Sequence, residues 1–250
     1  MLSKAKIKLI KSLELKKFRQ SEGLFVAEGS KVVGDLLPHF HCRLLAATDE
    51  WFLKNPQPKA DEAVAATDEE LRKASFLKSP QHVVALFEIP HFSPESLPEH
   101  SLTLALDNVQ DPGNLGTIVR IADWFGIRQI VCSEGSADAF SPKVVQATMG
   151  AIARVRIHYA PLAAWLQSLP DSIPVYGTFL NGKNIYSEPL SANGVIVMGN
   201  EGNGISPEVE KHITRRLLIP SYPQGVETSE SLNVAAATAI TCAEFRRRQL

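Results

Sequence analysis

The chain has 250 residues, of which 44% are hydrophobic and 21% charged, with a formal net charge of −1. That balance is the one of ordinary globular chains, and it excludes disorder, collagen and a continuous coiled coil as descriptions of the whole. The longest apolar runs, such as 83–87 and 194–199, fall far short of the ~18 residues that cross a bilayer, and the N-terminal stretch has no apolar signal core, so neither a membrane partner nor export is expected.

Residues 1–20 carry Lys4, Lys6, Lys8, Lys11, Lys16, Lys17 and Arg19 against the single acid Glu14. This predicts a basic helix over 3–19. On charge alone it is either an arm facing a polyanion or a solvated amphipathic helix, and Arg246, Arg247 and Arg248 add a second basic cluster. Strands are predicted at 24–28, 43–48, 62–67 and 83–89, with a helix over 30–37 begun by Ser30. A second helix is opened by the capping box of Thr67 and Glu70. The pair His39 and His41 beside Cys42 reads as a polar strand edge. Cys42, Cys132 and Cys242 are far apart and form no Cys-x-x-Cys, so neither a metal nor a disulfide framework is expected, and a reducing cytoplasm fits.

Three prolines between 90 and 100 mark a linker, which divides the chain into domains 1–90 and 101–250 with 91–100 between them. Beyond it, apolar strands at 102–107, 129–133, 154–159, 174–179, 194–199 and 215–220 alternate with helices at 114–125, 142–152, 162–169, 207–213 and 231–248. This is the pattern of a parallel sheet covered on both faces, where ligands sit at the carboxyl ends of strands. The fold class is therefore α/β in both parts.

Three loops carry chemistry. In DPGNLGTIVRIADWFG, Asn114 stands at a helix N-cap. Arg120 follows in an otherwise apolar helix, either paired with Asp123 or aimed at a specific anion. In GNEGNGISPE, glycines let a ligand approach the backbone, but neither the Gly-Lys-Ser/Thr ending of a phosphate loop nor G-x-G-x-x-G is present, and Glu201 has no obvious folding purpose. In SYPQGVETSESLNVAAATAI, Ser231 and Asn233 stand at the mouth of the last helix; no G-x-S-x-G elbow occurs in the chain, so Ser-His-Asp hydrolysis is unsupported.

Taken together and in order, these three loops resemble the three motifs of the SpoU (TrmH) RNA ribose methyltransferases of the SPOUT superfamily, and LKKFRQSEGLFVAEGSKVV at 15–33 resembles the substrate-binding domain that precedes the catalytic domain in many members. The third motif departs from the family pattern in a longer stretch before Ser231 and in Ala235, where a serine is usual. The resemblance implies a small N-terminal RNA-binding α/β domain followed by a parallel-sheet domain with a deep trefoil knot, a homodimer, and S-adenosylmethionine as methyl donor for a ribose 2′-hydroxyl of structured RNA. Ribosomal RNA is favoured over transfer RNA. Asn114, Arg120, Glu201, Ser231 and Asn233 carry over as catalytic residues, with Arg120 clamping a backbone phosphate and oriented by Glu201 and Asn114. Gly199, Ile219 and Leu232, with Thr178 nearby, carry over to the cofactor, and Lys16, Lys17 and Arg19 are candidates for RNA contact. The competing reading is an RNA-binding protein without catalysis; a nicotinamide-dependent oxidoreductase lacks its phosphate fingerprint.

Overall fold

A computed structural model describes residues 1–90, 101–223, 226 and 229–249. The linker expected at 91–100 lies outside the described residues. Two compact units are formed: the first from 1–90 with Asp138–Arg154, the second from 101–137 with 155–249.

The first unit opens with α1 (Lys4–Ser12) and α2 (Lys16–Glu22), where the sequence predicts one helix. The break has a cause in the side chains. Leu13 is fully buried, and the Arg19 guanidinium bonds the carbonyls of Leu13 and Glu14 at 2.6 and 2.7 Å, oxygens that an uninterrupted helix would hold itself. Strands β1 (Leu24–Glu28), β2 (Cys42–Ala47), β3 (Ala63–Ala65) and β4 (Val83–Glu88) form a sheet in the order β1-β4-β2-β3, with β4 antiparallel to β1 and β2 and β2 parallel to β3. Helices α3 (Ser30–Leu36), α4 (Asp49–Lys54) and α5 (Asp68–Ala74) complete it. Gly29, not Ser30, is the N-cap of α3, whereas the Thr67–Glu70 capping box of α5 forms as expected. Helix α4 was not expected; Thr48 caps it by accepting from the Trp51 N–H, and Trp51 is buried. Ile10, Leu13, Val26, Leu44, Leu71 and Leu86 build the core.

Two expectations need correction here. Arg19 is 3% exposed and paired with Asp138 through Nε and Nη2 at 3.1 and 2.6 Å, so it is a structural ion pair and not an RNA contact. Lys6 and Lys11 are likewise engaged, with Glu62 and with the Ser75 carbonyl, which leaves Lys4, Lys8, Lys16 and Lys17 exposed. The segment Asp138–Arg154, placed by the sequence with the second domain, belongs to the first unit. Its helix α7 (Pro142–Thr148) and the 3-10 turn Ala151–Ala153 pack there, with Phe140 against Phe25 at 5.0 Å between ring centroids.

The second unit carries six strands: β5 (Leu102–Leu106), β6 (Gln129–Ser133), β7 (Arg156–Ala160), β8 (Val175–Asn184), β9 (Gly194–Met198) and β10 (Arg215–Leu218). They form one sheet in the order β10-β8-β9-β5-β6-β7, and every pairing is parallel, as the short apolar strands predict. The central strands β5, β6 and β9 are buried along their whole length. Helices α6 (Pro112–Trp124), α8 (Leu162–Gln167), α9 (Pro207–Glu210) and α10 (Val234–Arg247) connect and cover them.

Helix α10 packs along α6, and its terminal arginines lock the pair. Arg246 donates to the carbonyls of Phe125 and Gly126 at 2.7 and 3.4 Å, satisfying the C-terminal end of α6. Arg247 and Arg248 both bond Glu244, whose side chain is 4% exposed, and the Arg247 hydrogen bond leads in holding that carboxyl down at about 2. The second basic cluster of the sequence is thus committed to folding.

Candidate active site

The ends of β5, β9 and β10 lead into the three expected loops. Asp107, 2% exposed at the end of β5, accepts from the Ser206 N–H at 2.7 Å and from Asn108 Nδ2 at 3.0 Å, and its own N–H reaches the Met198 carbonyl. One buried carboxylate thereby ties the loop after β5 to the loop after β9. Asn200 performs a second fastening: its Oδ1 takes the N–H groups of Gly202 and Asn203 at 2.9 and 3.1 Å, and its Nδ2 donates to the Asn108 carbonyl at 2.8 Å. Neither residue was singled out in the sequence. The available signals were a lone acid closing an apolar strand and an Asn–x–Gly turn.

The glycine loop returns on itself, with Asn200 and Gly204 bonding each other's backbone in both directions at 2.9 Å. Gly199 is required at the crossing: a Cβ there would lie 2.3 Å from the Gly204 carbonyl carbon and 2.4 Å from the Ile205 nitrogen.

Helix α6 begins two residues earlier than expected. Asp111 is the N-cap, accepting from the Asn114 N–H at 2.8 Å, with Pro112 at the first helical position. The Asn114 side chain is therefore free to reach across loops. Its Nδ2 donates to Glu201 Oε1 at 2.5 Å, and its Oδ1 accepts from Asn233 Nδ2 at 2.9 Å. Asn233 is in turn the N-cap of α10, its Oδ1 taking the N–H groups of Ala235 and Ala236 at 3.0 and 3.2 Å. A continuous chain of hydrogen bonds runs from the amino end of α10 through Asn233 and Asn114 to Glu201. Each donor polarises the next, so the helix terminus and the carboxylate are coupled through two neutral amides. Glu201 has acquired the purpose that the sequence could not supply.

Arg120 stands apart from this chain. It is exposed, and among the described residues it makes no hydrogen bond or ion pair. Asp123 pairs with Arg128 at 3.5 Å. The expectation that Glu201 and Asn114 orient Arg120 is not met; they are satisfied by each other and by Asn233. Six residues separate Asn114 from Arg120, which turns them to different faces of the helix. The buried face of α6 is Leu115, Gly116, Ile118, Val119 and Ala122, so the helix is apolar on one side only.

Beside the chain lies a cavity of about 700 Å³ whose lining includes Thr178, Gly199, Glu201, Ile219, Ser231 and Leu232. All four residues carried over to the cofactor, and two of those carried over to catalysis, therefore share one hollow. The volume is that of a small-molecule site, on the order of 300–1,000 Å³. Phe179, Met198, Ile205, Leu218 and Val234 give it apolar walls, the backbone of 199–204 supplies polar groups, and Glu201, Glu210 and Glu230 are its only ionisable lining among the described residues. A triphosphate or dinucleotide would meet these carboxylates, and the described lining residues include no lysine or arginine. A ligand with an apolar ring system and a positive centre fits.

The SpoU rRNA Methylase family matches residues 101–243, and the MRM3-like substrate binding domain matches residues 4–85. The chain belongs to the SpoU rRNA methylase family. It is 31% identical over 245 residues to the 23S rRNA (guanosine(2553)-2′-O)-methyltransferase RlmP of Bacillus subtilis (strain 168), covering 96% of each chain. Among solved structures, a TrmH-family protein from Porphyromonas gingivalis is 45% identical with a TM-score of 0.88 and 99% of each chain covered. An AdoMet-bound rRNA methyltransferase from Sinorhizobium meliloti is 30% identical with a TM-score of 0.86, covering 100% of this chain and 97% of that one.

Proposed function

We propose that this chain is an S-adenosylmethionine-dependent methyltransferase acting on a ribose 2′-hydroxyl of ribosomal RNA. The observation that carries the reading is the Asn233–Asn114–Glu201 chain at the edge of a cavity walled by the glycine loop. Full-length similarity to an enzyme named for 2′-O-methylation of 23S rRNA supports ribosomal RNA as the substrate class.

When bound, S-adenosylmethionine supplies a methyl group already activated on a positively charged sulfur. The chain's own task is alignment and the handling of one weakly acidic proton. Thr178, Gly199, Ile219 and Leu232 would hold the donor, with Ser231 shaping the opening. Glu201, with one oxygen fixed by Asn114, is held by groups that cannot swing away, because Asn233 is itself anchored to α10. Arg120, exposed and uncommitted among the described residues, is available to grip the RNA phosphate beside the target and fix the 2′-oxygen. A guanidinium presents a planar fork of donors and no acceptor, so its role is a two-pronged clamp and not a base. The 2′-hydroxyl proton would leave late, to phosphate or water.

The first 90 residues serve as the RNA-gripping part, with exposed Lys16 and Lys17 at phosphates. The same reading includes the deep trefoil knot, a homodimer and a cytoplasmic setting. Trp124, 85% exposed at the end of α6, accords with a second copy covering that helix, and three buried free cysteines accord with a reducing compartment.

Calorimetry on the full chain tests the donor site. S-adenosylmethionine is expected to bind, and a nicotinamide dinucleotide to give no heat. Binding of the dinucleotide alone would overturn the reading, and binding of neither would favour a non-catalytic RNA binder.

A further inference from the structure

The pairing of β10 with β8 contains a jump. Arg216 lies opposite Gly177, but the next residue, Leu217, lies opposite Lys183. Five residues of β8, Thr178–Gly182, therefore leave the ladder. Thr178, Phe179, Leu180 and Asn181 line the cavity, so the excursion is one of its walls. At its base Gly182 sits directly on β10: a Cβ there would lie 2.4 Å from the Leu217 carbonyl carbon.

A strand segment that has lost its ladder needs another restraint, and Arg216 supplies it. Its guanidinium lies 3.7 Å from the centroid of the Phe179 ring, its Nη2 donates to Asn181 Oδ1 at 2.7 Å, and its Nη1 pairs with Glu210 of α9, itself a lining residue. One planar cation thus stacks on one residue of the excursion, bonds a second, and joins both to the opposite element. Lysine has neither the plane nor the fork to do this. The excursion also touches the body of the sheet: Thr178 Oγ1 lies 3.9 Å from Met198 Sδ, and Phe179 packs against the apolar cluster that holds Val197, Ile205 and Val209.

We infer that Arg216 is a positioning residue for the methyl-donor pocket, latching the Thr178–Gly182 wall in the shape that receives the donor. The inference rests on the donor reading above. Without the latch the wall is ordered only at the moment of binding, and that ordering is subtracted from affinity. Because the latch sets the shape of the wall, S-adenosylmethionine and its demethylated product S-adenosylhomocysteine both lose affinity. A merely structural ion pair, by contrast, would change thermal stability and leave affinity alone.

Titration calorimetry and steady-state methylation on the full chain decide the matter. For Arg216→Ala, Kd for both ligands is expected to rise about tenfold, with KM for the donor rising in step and kcat changing by less than about twofold. Arg216→Lys keeps the charge beside Glu210 and is expected to restore thermal stability but not affinity. Should Arg216→Ala fail to fold, Asn181→Ala, an exposed substitution, is expected to weaken both ligands several-fold. Unchanged affinity in Arg216→Ala or Asn181→Ala, or full recovery of affinity in the lysine variant, would overturn the latch. If the wild-type chain binds neither ligand, the donor reading falls and the latch with it.

Discussion

Replacing Arg120 by alanine is expected to lower turnover on ribosomal RNA by about 10²- to 10³-fold, the usual cost of removing a group that acts on charge in the transition state. Thermal unfolding and donor affinity should stay as in the wild type. The side chain is exposed and makes no hydrogen bond or ion pair among the described residues, so its removal takes nothing from the fold. It is also absent from the cavity lining. Activity, melting temperature and calorimetric affinity measured on one preparation separate these effects. Arg120→Lys sharpens the test, because lysine keeps the charge as a point and loses the planar pair of donors. A lysine variant with near wild-type turnover would contradict a two-pronged clamp and leave only a requirement for positive charge.

The second large effect belongs to Gly199. Alanine there places a carbon 2.3–2.5 Å from three backbone atoms of Gly204 and Ile205, and no rotamer change can relieve a clash with main chain. The glycine loop must open, at a cost of roughly 1–3 kcal/mol in stability and a comparable loss of donor affinity, about 10- to 100-fold. Gly202→Ala is the internal comparison. Its added carbon would meet only Asn200 Oδ1, at an ordinary 3.5 Å, so its melting temperature should match the wild type. Equal stability and equal donor binding in Gly199→Ala would show that the loop does not frame the pocket.

Much of this arrangement was legible in the sequence for local reasons. The parallel sheet follows from short apolar strands alternating with helices, and β6 and the Thr67–Glu70 capping box were placed to the residue. The three loops were found because glycine, asparagine and carboxylate residues stand where strands end. What escaped depends on contacts distant in sequence. Helix periodicity cannot show that Arg19 will turn back on Leu13 and Glu14 and pair with Asp138, splitting one expected helix into two and removing a candidate RNA contact. Nor can it show that Asp138–Arg154 belongs with the first unit, since its alternating pattern is that of the segments around it. In the site, the expected residues are wired differently from the expectation. Asn114 and Glu201 were expected to hold Arg120. Instead, Asn233 completes a chain that leaves Arg120 outside it, because Asp111 takes over the capping role and frees the Asn114 side chain.

The most direct measurement is of the product itself. Ribosomal RNA free of modification is incubated with the full chain and S-adenosylmethionine, digested to nucleosides and analysed by mass spectrometry, with the methylated position mapped on the intact RNA. The expected result is a single nucleoside methylated on its ribose oxygen, formed only with the donor present and almost absent with Arg120→Ala. Methyl groups on a base, or no donor-dependent methylation of ribosomal RNA by a chain that binds the donor, would contradict it.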